Sequence, residues 1–146
     1  MTDIVPTNNN AIANASDFNI PRGYICTLDI TELAGKLKLV QALNGAVSMK
    51  DKVNEVLRVV NVVTTKGTRV RTEEECVNVY LICEDGTVYF TQSEGIARAI
   101  SIIVGVFTDP ITHTFMNPVE QGVGMQVKEQ TMANGNTLKT IIPVEL

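Results

Sequence analysis

CVNVYLICEDGTVYFTQSEGIARAISIIVGVF, residues 76–107, carries two strands, the turn between them and a helix in one unbroken run. Cys76–Cys83 is dense in apolar and β-branched residues, which suit a pleated strand. Glu84-Asp85-Gly86 reads as a hairpin turn, because Asp-Gly supplies the positive φ that tight turns need. Thr87–Thr91 is the returning strand. Ser93 then predicts an N-cap for a helix over Glu94–Phe107, with Ile96, Ile100, Ile103 and Phe107 as its apolar stripe. Asp109-Pro110 ends that helix.

Working outward, Glu55–Thr64 is rich in valine and predicts the first long strand. A loop carrying Lys66-Gly67 leads through Thr68–Arg71 into the acidic turn Glu73–Glu75. On the far side, Val123–Glu129 and Leu138–Val144 are two further strands, joined by the turn Ala133-Asn134-Gly135-Asn136. The order is strand, strand, strand, helix, strand, strand. A five-stranded Greek-key barrel of the OB type has this order, with its helix between the third and fourth strands. The expected fold class is therefore mainly β with helices, an OB-like barrel. In front of it, a short strand at Gly23–Ile30 precedes a helix over Thr31–Asn44. There Leu33, Leu37 and Val40, flanked by Ala34 and Gln41, recur at helical spacing. Thr31 is the expected N-cap, and Asn44-Gly45 the stop. Residues 1–19 are rich in Asn, Ala, Ser and Thr without an apolar period, so a flexible arm is expected there, with residues 20–146 forming a single OB-like domain.

A chain of 146 residues suits one domain that needs no metal or disulfide staple. No apolar run is long enough to cross a bilayer, and no basic segment followed by an apolar one opens the chain, so neither a membrane span nor a secretory signal is expected. Cys26, Cys76 and Cys83 are odd in number and lack metal-type spacing, which points to a reducing compartment, the cytoplasm. Asn14-Ala15-Ser16 matches a glycosylation sequon by chance. A net charge of −4 argues against a uniformly basic nucleic-acid protein but allows positive charge concentrated on one face.

Catalysis finds little to work with. The single histidine, His113, lies in a Thr/Pro-rich stretch, so no histidine-based metal cluster or triad can form. Gln121-Gly-Val-Gly124 precedes a strand instead of opening a helix, unlike a phosphate-cradling loop. Glu73–Glu75 and Glu84-Asp85 fall in turns, not across a cleft from one another. Ser93-Glu94-Gly95 reads as a helix start, not a nucleophile. No catalytic residue, cofactor or metal is expected.

Strand alternation divides Cys76–Cys83 into Val77, Val79, Leu81 and Cys83 on one face and Asn78, Tyr80 and Ile82 on the other. In the returning strand Val88 and Phe90 form the apolar set, against Thr87, Tyr89 and Thr91. With the apolar sets in the core, Tyr80 and Tyr89 are expected to share the outer face, where OB barrels hold oligonucleotides. Stacked bases there contribute on the order of 1–3 kcal/mol each. Lys66, Arg69 and Arg71 in the first loop, with Lys128 and Lys139 flanking the last turn, are the cations expected to follow a phosphate backbone. Taken one at a time, each has a plainer role, as a cross-strand packing partner or a solvated charge.

The stretch from Tyr80 to Ile100, YLICEDGTVYFTQSEGIARAI, resembles single-stranded DNA-binding proteins of small tailed phages, most nearly those that replicate linear genomes by protein priming. Asn44-Gly-Ala-Val-Ser-Met-Lys-Asp, just ahead of the first barrel strand, is similar as well. As a pattern of elements the likeness covers roughly residues 33–145 and transfers no individual contact residue. It implies an OB-like fold and sequence-independent coating of single strands during DNA replication, in the host cytoplasm. The implied partner is single-stranded DNA, with replication proteins and further copies of the chain left open. The chain ends Pro143-Val-Glu-Leu without an acidic tail, so recruitment of partners through such a tail is not expected. Two other classes stay open: a phage virion or assembly protein, and a protein-binding OB module without nucleic-acid affinity.

Overall fold

A computed structural model describes residues 24–108 and 122–145. Residues 1–19, the Asp109-Pro110 helix stop and His113 lie outside them. The elements are α1 (Leu33–Gly45), β1 (Val47–Ser48), β2 (Val56–Thr68), β3 (Glu75–Cys83), β4 (Val88–Thr91), α2 (Glu94–Phe107), β5 (Val123–Thr131) and β6 (Thr137–Val144). They form a six-stranded sheet in the order β1-β4-β3-β2-β5-β6, curled into a half-barrel of OB-like type. The β1–β4 pair is parallel and the others antiparallel.

The curl shows in the segment between β1 and β2. Met49 N–H donates to the Phe90 carbonyl on β4 (3.1 Å), and Asn54 N–H to the Val127 carbonyl on β5 (2.7 Å). One short segment thus ties together two strands that are well separated in the sheet order. The bend is helped by a bulge in β2: Val59 opposes Cys83 and Asn61 opposes Ile82, leaving Val60 over. The extra residue switches the alternation, so Val59 and Val62 both enter the core beneath α2.

That inner core joins Ile96, Ile100 and Ile103 of α2 to Leu57, Val59, Val62, Val79, Leu81, Met125, Val127 and Ile141 of the strands. Ser93 caps the helix as expected, its hydroxyl accepting from Ile96 N–H at 3.3 Å. A smaller core covers the outer face, where Cys26, Leu28 and Ile30 with Leu39 and Ala42 of α1 pack on Val63 and Ile82.

Four expectations need correction. Lys66-Gly67 lies within β2, not in a loop, because pairing with β3 continues through Lys66↔Val77, Gly67↔Cys76 and Thr68↔Glu75. Residues 24–30 are not a named strand; they touch β2 through an isolated bridge, Cys26↔Val63, and through Thr27 N–H to the Val62 carbonyl. Thr31 does not cap α1. The helix begins at Leu33 without a side-chain cap, while Thr31 bonds back to the Asp29 carboxylate through both its N–H and its hydroxyl.

The fourth concerns the face of α1. Leu33, Leu37 and Val40, the expected apolar stripe, are 72%, 53% and 56% exposed. The buried face is Gly35–Leu39–Ala42, two residues out of phase and so roughly 200° around the helix. Gly35 decides this. A Cβ there would stand 1.8 Å from the Asp29 carbonyl oxygen, so only a glycine lets the helix turn this side to residues 24–30.

Candidate nucleic-acid interface

The β3–β4 hairpin determines which side chains meet. Cys83 N–H donates to the Thr87 carbonyl across the turn, and Gly86 has φ +90°. From that start Ile82 faces Val88, Leu81 faces Tyr89, and Tyr80 faces Phe90. The next strands extend the rows: Ser48–Phe90–Tyr80–Val63 on the outer face and Val47–Tyr89–Leu81–Val62 on the inner one. Tyr80 and Tyr89 therefore lie on opposite faces, contrary to the sequence expectation.

Tyr80 instead meets Phe90, ring centroids 5.2 Å apart and planes inclined at 49°. Partial burial raises the Tyr80 phenol above its ordinary value, and a hydrogen bond with Thr65 opposes that shift. Tyr89 packs at the margin of the inner core with the Lys52 ammonium 5.5 Å from its ring centroid. Lys52 also pairs with Glu55 at 3.6 Å, and that carboxylate is the main reason its pKa is raised.

Beside the aromatic pair runs a polar strip. Gln92 Nε2 donates to Asn78 Oδ1 (2.9 Å), and Asn78 Nδ2 donates to the Thr65 hydroxyl (3.2 Å). Gly67 makes room for it, since a Cβ there would come within 2.2 Å of Asn78 Oδ1. Arg69 closes the strip at the base of the β2–β3 turn, its guanidinium donating to the Gln92 carbonyl at 3.1 Å.

The other expected cations are dispersed. Arg71 is exposed in the β2–β3 turn. Lys66 opposes Val77, on the inner side of the sheet, and pairs with Glu75 at 3.4 Å. Lys128 opposes Thr140 and Lys139 opposes Glu129, so these neighbours in the β5–β6 hairpin point to opposite faces. Of the expected site residues, Tyr80 lies on the outer face and Arg69 is linked to the polar strip beside it through the Gln92 carbonyl, with Arg71 nearby in the turn. Tyr89, Lys66 and Lys139 do not join them.

Phe90, Asn78 and Gln92 flank Tyr80 in the structure but are not among the expected site residues. A register count from the Asp-Gly turn would have found Phe90: paired positions in β3 and β4 sum to a constant, so Tyr80 selects Phe90. Strand alternation already puts Asn78 on the Tyr80 face, and its side chain depends on the bare backbone at Gly67, whereas no comparable signal marks Gln92.

A curled sheet with its helix between β4 and β5, presenting aromatic and amide groups on the outside of β3 and β4, is the OB-like type of oligonucleotide-binding barrel. Residues 20–141 match the family model described as Phage Single-stranded DNA-binding protein, and the chain belongs to that family. It is a single-stranded DNA-binding protein of phage DNA replication, from a family of binding rather than catalytic proteins. The assembly and protein-module readings gain no support. Comparisons with curated proteins and with solved structures found no match. Among the described residues no helix is long and apolar enough to cross a membrane.

Proposed function

We propose that the strand crosses the outer face of β3 and β4, bases stacking on the Tyr80–Phe90 pair, so that the protein coats single strands without regard to sequence. The observation that carries this is the placement of two aromatic rings side by side on a half-exposed outer face. Every base has a π-face, so stacking is sequence-tolerant. Arg69 and Arg71 at one end and Lys128 toward the other supply charge for phosphates, while the amides of Asn78 and Gln92 meet the polar edges of whatever lies on them. Coating puts further copies of the chain along the same strand. A protein serving phage DNA replication does this in the host cytoplasm.

The test is fluorescence anisotropy of labelled oligo-dT and a matched duplex, at low and high salt. Tight, salt-sensitive binding to the single strand alone is the expected result. The double variant Tyr80→Leu/Phe90→Leu keeps apolar bulk against the outer core but removes both rings, and should weaken binding ~10-fold or more, given about 1–3 kcal/mol per stacked base. Unchanged affinity in that variant would remove the stacking role.

A further inference from the structure

The outer row does not stop at Phe90. It continues to Ser48 on β1, and beside these two residues the sheet opens into a cleft of about 140 Å³. Its floor is apolar and buried, made by Met49, Ile96 and Val127. Around the mouth stand Lys50 and Lys139 with Ser48, Thr91 and Gln92, and no carboxylate lines it. The cleft lies where β1 and β4 approach the β5–β6 hairpin, so its two lysines come from opposite sides.

Three features suit an anion. Neither lysine has an ion-pair partner among the described residues, although Glu129 is the direct cross-strand neighbour of Lys139. The Ser48 hydroxyl oxygen accepts from Lys50 N–H at 3.3 Å, which leaves its own proton to donate outward. Phe90 belongs both to the aromatic pair and to the cleft lining, so the rings and the cleft adjoin.

We infer that this cleft holds a backbone phosphate of the bound strand, with Lys50 and Lys139 supplying the charge and Ser48 a hydrogen bond. The inference rests on the outer-face reading above and adds a site to it. It makes Lys139 a contact through the gap in the barrel instead of through the outer face, and adds Lys50. Phosphate binding at this point would clamp the strand between β1 and β6.

The test is the salt dependence of oligo-dT binding by the full chain. Each cation that neutralises a phosphate of a single strand contributes about 0.7 to the slope of log K against log salt. The double variant Lys50→Gln/Lys139→Gln should lower the slope by about 1.4, while Lys50→Arg should keep it at the wild-type value. Phe90→Leu should weaken binding at every salt concentration with its slope intact. As a control, Lys36→Gln/Lys38→Gln on α1 should leave the slope as it is. A double cleft variant with the wild-type slope would overturn the inference while leaving the outer-face reading standing, and an equal loss in the α1 control would overturn it by showing only a general field. Absence of oligo-dT binding by the wild type would overturn both. Thermal melts of the glutamine variants, expected to match the wild type, keep folding out of the comparison.

Discussion

Helix α2 buries Ile96, Ile100 and Ile103 in a core of fourteen residues, whereas α1, on the opposite face of the same sheet, adds only Leu39 and Ala42 to a core of seven. The first helix of that comparison has a serine cap, an acid in its first turn and a Glu94–Arg98 ion pair at 3.0 Å. The other has no side-chain cap and faces solvent with Leu33, Leu37 and Val40. One face of the sheet is therefore built to hold the barrel together. The other carries a thin cover over part of a surface that remains available for contact. Local opening should start on the thin side, where fewer buried contacts resist it.

Ile100→Ala should show the largest effect, a loss of about 4 kcal/mol in denaturant unfolding, because the inner core has little freedom to collapse around the cavity. Leu39→Ala should cost about 2 kcal/mol and raise hydrogen exchange in α1 before it raises exchange in β2 and β3. Equal costs for the two substitutions would break the contrast between the faces. Ser93→Ala should follow at about 1 kcal/mol, the worth of an N-cap. The smallest change belongs to Leu37→Ser, within roughly 0.5 kcal/mol of wild type, since that side chain leaves no core behind. A large destabilisation there would mean that the exposed stripe of α1 is covered in solution.

The same contrast explains what could be read from residues alone. The helix after the hairpin was legible because its apolar period, its cap and its burial agree. The leading helix was not, because it is apolar on two sides and a backbone contact at Gly35 chooses between them. Strand order and the OB-like class followed from valine-rich runs and turn residues. The outer aromatic pair was half legible: alternation along β3 puts Tyr80 outside, but apolar character alone assigns Phe90 to the core until the register of the hairpin is counted. Phe90 is as apolar as a core residue, yet the pairing with Tyr80 puts it outside. The cleft had no sequence signature, since Lys50 and Lys139 are brought together only by the curl.

Burial gives the three thiols different chemistry. It pushes Cys26 up to about 11 and Cys83 up to about 12, the latter helped by the nearby Asp85 charge, whereas Cys76 is half-exposed on the outer face opposite Gly67. Because the thiolate is the reactive form, a maleimide at pH 7.5 should modify native protein once, at Cys76, and three times after unfolding, as mass spectrometry would record. The sign of the alkaline effect follows as well. The two buried thiols stay neutral in the fold while an unfolded chain ionises near pH 9, so their contribution to stability is whole below pH 9 and is lost as pH rises toward 11 and 12. A dye introduced without any mutation would thus sit two residues from Asn78, on the strand that carries Tyr80. The protein comes with its own attachment point for watching a strand arrive.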